Sequence, residues 1–320
     1  MRARKRARPT MSTLICGSIA YDSIMVFQGR FRDHILPDQV HILNVSFLVP
    51  EMRREFGGVA GNIAYNLKLL GGSPLPMATV GDDSQPYLEH LDRFKIDRRF
   101  VRQVPGTLTA QAFITTDLDD NQITAFHPGA MSHSHLNRID PAGVQLGILG
   151  PDGRDGMLQH AEQMSETGIP FIFDPGQGLP MFEAAELQWF VERAHYLALN
   201  DYEAKLMAAK TGSDMESLAR RLKSVVVTLG AQGSRIHVNG RVLEIPVAPA
   251  RAVRDPTGCG DAYRAGLLFG LVHGLDWPTT GRLAAVMGAL KIEQEGAQRH
   301  TATRAQIEER FLEAFGYRPW

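Results

Sequence analysis

Short apolar runs alternate along this chain with stretches in which apolar residues recur every three or four positions. The runs at 13–17, 144–149, 170–173, 196–199 and 225–229 read as buried strands. Residues 62–70 carry the helical spacing and end at Gly71-Gly72, a C-terminal stop; residues 264–272 form a second helical run. Strands alternating with helices predict an α/β fold, a mostly parallel sheet covered by helices on both faces. Ligands in such open sheets bind beyond the carboxyl ends of the strands.

Two regions break the rhythm. Residues 40–49 and 109–126 alternate with period two, and Asp119-Asp120-Asn121 supplies a turn within the second. They predict lid strands, inserted from about 40–49 and 109–126, that stand off one large domain spanning 13–320 and close over a ligand.

Composition narrows the class. Hydrophobic content of 44% and charged content of 22% suit a globular protein. A net charge of −1 gives no support for nucleic-acid or anionic-membrane partners. The basic start, Arg2, Arg4, Lys5, Arg6 and Arg8, lacks the apolar segment of a signal peptide, and residues 1–12 are expected to be a disordered extension. Two cysteines, Cys16 and Cys259, make neither a disulfide framework nor a zinc site. No apolar stretch approaches the ~18 residues of a membrane span, so a reducing cytoplasm is the expected location.

The candidate chemistry starts at Asp255-Pro256-Thr257-Gly258-Cys259-Gly260-Asp261-Ala262-Tyr263, directly before an apolar helical run. A glycine-rich turn at a helix N-terminus presents unpaired N–H groups and partial positive charge to an anion. Asp261 in the first helical turn places a carboxylate beside that cradle. Charge stabilisation next to a proton acceptor is what phosphoryl transfer to an alcohol requires, although such an Asp also serves simply to complement the helix dipole.

Four further features belong to the same picture. Gly57-Gly58-Val59-Ala60-Gly61-Asn62 is a turn that lets a ligand approach backbone, with Asn62 at the helix start as a ligand contact or a cap. Asp22 follows the opening strand and suits a pair of vicinal hydroxyls, or an Asx turn. Asn200-Asp201-Tyr202-Glu203 is a capping box whose carboxylate would also face the crevice. Thr228-Leu229-Gly230-Ala231-Gln232-Gly233 precedes a hairpin with Asn239-Gly240 at its tip, whereas a dinucleotide fingerprint needs a helix there. No Walker loop, nucleophile elbow or zincin motif occurs, and His127, His133 and His135 lack the patterned carboxylates or thiols of a metal site.

Together these motifs resemble the ribokinase-like (PfkB) kinases of sugars and nucleosides. The nine residues from Asp255 resemble that family's D-T-x-G-A-G-D-x-F signature, with Pro256 and Cys259 as departures. Gly57, Gly58 and Asn62, followed by Ala64, Leu67 and Leu70-Gly71, resemble its G-G-x-x-x-N element. Residues 200–203 resemble its N-x-x-E, and 228–233 its T-x-G-x-x-G nucleotide turn. The resemblance covers the chain from Thr13 to the C-terminal helix. It implies the ribokinase-like fold and an ATP- and Mg2+-dependent kinase. Asp261 would be the base, and Gly258, Cys259 and Gly260 the anion cradle. Asp22, Gly57, Gly58 and Asn62 would hold the substrate sugar. Asn200, Thr228, Gly230 and Gly233 would contact ATP, and Glu203 would hold magnesium through water.

Patterns around the lid are most similar to the adenosine and broad-specificity nucleoside kinase branch. That implies a nucleoside acceptor, with Gln39 and Phe113 as base contacts. A sugar or sugar phosphate is the alternative acceptor, with Arg102 available for an extra phosphate. A nucleoside-binding regulator without turnover is a second alternative. The expected partner is a small molecule, on a monomer or homodimer.

Overall fold

A computed structural model describes residues 12–35, 44–119 and 121–320. The chain opens with β1 (Ser12–Cys16), β2 (Ala20–Val26) and β3 (Glu51–Gly57), then α1 (Val59–Leu69), β4 (Pro74–Val80), α2 (Gln85–Arg93) and β5 (Phe100–Gln103). It continues through β6 (Ala110–Thr116), β7 (Gln122–His127), β8 (Val144–Leu149), α3 (Arg154–Glu166), β9 (Phe171–Phe173) and α4 (Ala184–Arg193). After β10 (Tyr196–Asn200) come α5 (Asp201–Thr211), α6 (Met215–Ala219), β11 (Ser224–Thr228), β12 (Ser234–Val238) and β13 (Arg241–Ile245). Helices α7 (Cys259–Val272), α8 (Trp277–Ile292) and α9 (Arg304–Phe315) complete it.

Among the described residues, the large sheet has the order β13-β12-β11-β10-β9-β8-β1-β4-β5, and a second sheet has the order β3-β2-β6-β7. The large sheet is parallel from β11 to β5, and only the β11-β12-β13 edge is antiparallel. Its central strands are buried on both faces. In β1, Ile15 packs into the core that α1, α7, α8 and α9 share, whereas Leu14 and Cys16 pack into the core of α3, α4 and α5. Two close approaches fix α7 against α8. A Cβ on Gly266 would lie 2.5 Å from Ala284 Cα, and one on Gly270 2.5 Å from Thr280 Oγ1. Glycine there lets the helices approach closely, which holds the N-terminus of α7 in place.

The second sheet differs from its expected composition. Residues 44–49 form no strand, and 40–43 lie outside the described residues, as do 1–11, Gln39 and Asp120. Phe47 instead packs against Phe27 and Phe31, with ring centroids 4.8 and 5.0 Å apart. Aromatic packing, rather than a backbone ladder, absorbs that stretch. The strands beside β6 and β7 are β2 and β3. Glycine is required at the hairpin tip, where Gly240 has φ +70° and Asn239 also has positive φ, a two-residue turn of the kind that matches strand twist.

Candidate active site

Asp261 sits in the first turn of α7. Gly258 is the N-cap, with φ +78°, and a Cβ there would meet Ala297 Cβ at 2.8 Å. The amides of the turn are not equivalent. Cys259 N–H donates to Pro256 O at 3.1 Å, so it is turned inward, while those of Gly258 and Gly260 have no acceptor among the described residues. The cradle expected from three residues therefore has two amides free, because the Pro256 turn closes on the third. Thr257 N–H and Gly296 N–H both donate to the Asp255 carboxylate, at 2.8 Å each, and Lys291 Nζ donates to Asp255 O at 2.7 Å. Those contacts hold the turn from its first residue.

Asn62 lies on the second turn of α1 and is buried. It does not cap its helix; Gly58 is the N-cap, and Val59 N–H and Ala60 N–H reach Ser18 Oγ and Ser18 O at 3.1 and 2.9 Å. The amide is thereby released for another task, and Asn62 Nδ2 donates to Asp261 Oδ2 at 2.8 Å. Burial pushes the Asp261 carboxyl up to about 7; the Asn62 bond opposes that rise, Asp174 adds to it, Arg264 opposes it and Asp22 adds to it.

Asp22 stands on β2, opposite Glu55 of β3 and Ala112 of β6. A Cβ on Gly57 would be 2.4 Å from Asp22 Oδ2, so glycine makes room for the carboxylate. Burial raises Asp22 to about 6, with further contributions from the charges of Glu55 and Asp255. Gly58, with φ +84°, is needed for the backbone to pass Ala20 N and Ser18 O, each 2.6 Å from a hypothetical Cβ.

The carboxyl ends of three neighbouring strands bring in the rest. Asp174 follows β9, Asn200 ends β10 and Thr228 ends β11. Asn200 and Glu203 form the capping box: Glu203 N–H donates to Asn200 Oδ1 at 2.7 Å, and both Glu203 oxygens accept from Asn200, at 2.7 and 2.9 Å. Burial raises the Glu203 carboxyl above the usual range. Gly230 has φ +56°; Gly233 has φ +85°, and a Cβ on it would lie 2.1 Å from Ile245 O, so the turn between β11 and β12 demands glycine. Among the described residues no three His, Cys, Asp or Glu side chains group as a metal site.

Sequence reading passed over an ion pair at the centre of this edge. Arg264 and Asp174 are buried and bonded twice, Nε to Oδ2 at 3.0 Å and Nη2 to Oδ1 at 2.9 Å. Its signal was present: a lone arginine one turn beyond Asp261 inside an apolar run. Two other expectations are not met by position. Residues paired across a sheet share a face and neighbours along a strand alternate, so Phe113, opposite Ser23, lies on the other face from Asp22. The aromatic residue in the row of Asp22 and Ala112 is Phe126 of β7, which is exposed. Arg102 is on β5, at the edge of the large sheet and outside the lid, where it donates to Leu136 O.

Comparison with known proteins fits this geometry. The model of the pfkB family of carbohydrate kinases matches residues 20–304. The chain belongs to that family. Among pfkB relatives, a nucleoside kinase of Methanothermobacter thermautotrophicus is 32% identical over 93% of this chain and 98% of its own. One of Methanocaldococcus jannaschii is 31% identical over 83% of this chain and 89% of its own. The Burkholderia thailandensis nucleoside kinase solved with inosine is 56% identical, with a TM-score of 0.88, and covers 96% of this chain and 99% of its own. The same kinase has been solved with ADP-inosine. This pfkB chain thus has the ribokinase-like α/β fold, a large mostly parallel sheet and a smaller separate one.

Proposed function

We propose that this chain is an ATP-dependent nucleoside kinase that transfers the γ-phosphoryl group to the 5′-hydroxyl of a ribonucleoside. The observation that carries this reading is Asp261, a carboxyl raised to about 7 and held by Asn62 at the mouth of an amide-lined turn. A base poised near neutrality, beside donors for developing charge, is suited to deprotonating an alcohol as phosphorus is attacked. Similarity to a kinase solved with inosine supports a nucleoside acceptor.

Asp22 accepts hydrogen bonds from the ribose hydroxyls, and Gly57, Gly58 and Asn62 complete the sugar site. Phe126, on Asp22's face of the lid, takes the base-stacking part expected of Phe113. Free amides of Gly258 and Gly260 face the transferring group; each donor of this type contributes about 3–4 kcal/mol. Asn200, Thr228, Gly230 and Gly233 line the edge along which ATP would lie. Each Glu203 oxygen already accepts one hydrogen bond from Asn200, and the remaining lone pairs would hold magnesium through water, as magnesium's retained hydration favours. Glu203 would hold magnesium there, and the metal would supply positive charge to the phosphates.

The test is ADP formation with adenosine, inosine, cytidine, ribose and fructose 6-phosphate, for the wild type and for Asp261→Asn. Turnover with nucleosides, lost by orders of magnitude in D261N while ATP still binds, is the expected outcome. Near-normal turnover in D261N would refute the base; turnover with the sugars alone would refute the acceptor. Nucleoside binding without any turnover would point to a regulator.

A further inference from the structure

Behind Asn62 lies a buried polar chain that the reaction so far leaves without a role. Tyr87 Oη donates to Gly57 O at 2.7 Å, and Gln298 Nε2 donates to Tyr87 Oη at 2.7 Å and to Asn62 Oδ1 at 2.9 Å. Gln298 Oε1 meets His90 Nε2 at 2.9 Å. Tyr87, His90, Gln298 and Asn62 are all buried.

Donor and acceptor directions follow from one end. A backbone carbonyl can only accept, so Tyr87 spends its single proton on Gly57 O. Tyr87 Oη must then accept, which turns the NH2 group of Gln298 toward it. With that orientation the second Gln298 N–H faces Asn62, which must present Oδ1, and the Asn62 NH2 group is left pointing at Asp261. The other end agrees, since an ionised carboxylate can only accept. His90 donates to Gln298 Oε1 and closes the remaining valence. Space for the chain is built in: a Cβ on Gly61 would stand 2.0 Å from Tyr87 Oη and 3.2 Å from Gln298 Nε2. The third glycine of the Gly57–Asn62 turn therefore serves the relay, where the first two serve Asp22 and the backbone.

We propose that Gln298 is a positioning residue, which fixes the Asn62 amide so that its NH2 group points at Asp261 and leaves the second Asp261 oxygen for the substrate hydroxyl. This rests on the reading of Asp261 as the base. Groups bearing on Asp261 are Asn62, Asp174, Arg264 and Asp22, and on His90 the charge of Arg93. A change at Gln298 leaves Asp174, Arg264, Asp22 and Arg93 in place, and of the groups named only Asn62 and His90 are bonded to Gln298.

Gln298→Glu is the sharpest variant. It keeps the shape but removes both donors, so Asn62 must rotate its NH2 group toward the introduced carboxylate and turn Oδ1 to Asp261. Loss of a bond to the charged form raises a carboxyl, and so does a new negative charge nearby, so Asp261 should titrate at least about one unit higher in Q298E. A 13C titration of Asp261, assigned with D261N, reads this without turnover. In the pH profile the acid limb of kcat should move up by the same amount, a loss about tenfold greater at pH 6 than at pH 9. Tyr87→Phe, which frees Gln298 without adding charge and with little change in volume, should move both readouts in the same direction by less; a shift in Q298E that Y87F does not share at all comes from the introduced charge alone and overturns the proposal. A folded Q298E with an unshifted Asp261 titration overturns the proposal; should Q298E not fold, an unshifted Y87F does so. If the titration shifts and the rate profile does not follow, the relay stands and the base reading fails.

Discussion

Ionising Asp261 where it stands is unfavourable, because burial and the charges of Asp174 and Asp22 outweigh the help of Asn62 and Arg264. The consequence for stability has a definite sign. Between about 4, the ordinary aspartate value, and about 7, the folded chain keeps a proton that the unfolded chain releases. Stability therefore falls as pH rises through that window, and the whole loss is present above it. Asp261→Asn should melt higher than the wild type at pH 8, by roughly 1–2 °C for each ~1 kcal/mol recovered, and by less at pH 5. Calorimetry at the two pH values decides; an equal shift at both would sink the claim. The sequence made Asp261, Gly57 and Asn62 legible because a glycine turn and a polar residue have few local purposes. It did not reveal that Asn62 serves Asp261, which requires two segments 199 positions apart to meet.

Helix α7 is tied to the carboxyl end of β9 through Arg264 and Asp174, and this pair tests how Asp261 is held. A buried pair need not stabilise relative to apolar residues, but removing one member leaves a bare charge. Asp174→Asn should cost about 3–5 kcal/mol in urea denaturation, and pairing Asp174→Leu with Arg264→Met should cost less than D174N alone. A D174N midpoint equal to wild type would refute the coupling. The strands that escaped sequence reading did so for physical reasons. In β4, Pro74 and Pro76 disguise a fully buried strand. Thr13 N–H donates to Ser73 O and Gly17 N–H to Met77 O, so the odd positions face β1 and both prolines face the other side. There the ladder with β5 begins only at Met77, and no N–H is missed. In β3, Arg53, Arg54 and Glu55 mask the pattern, because they pair with Glu295, Asp83 and Arg299, which a local window cannot see. Residues 40–49 show the converse: alternation alone predicts a strand where 44–49 have no ladder partner.

Those β3 charges join the lid to the rest of the molecule. Arg299 Nε donates to Glu55 Oε2 at 2.7 Å, and Arg53 Nη1 to Glu295 Oε2 at 2.5 Å. The same short segment, 293–300, holds Asp255 through Gly296, Asn62 through Gln298, and Asn66 through His300. One stretch of chain thus touches the smaller sheet, the turn that begins at Asp255, and Asn62 on α1. Glu55 is the buried member of this contact and stands opposite Asp22, whose carboxyl it helps to raise. Glu55→Gln removes that charge and keeps an acceptor for Arg299. Asp22 should then ionise at lower pH, though still above the ordinary value, because burial is the leading cause and remains. With ionised Asp22 as the form that accepts the ribose hydroxyls, the acid limb of kcat/KM for the nucleoside should move down. A shift of roughly half a unit would raise kcat/KM at pH 5.5, relative to pH 8, by about twofold. At pH 8, where Asp22 is ionised in both proteins, only the weakened tie to Arg299 remains, and KM should rise. An acid limb that stays in place would show that the Glu55 charge does not reach Asp22; a lower limb with unchanged KM at pH 8 would show that the lid closes without the Arg299 contact.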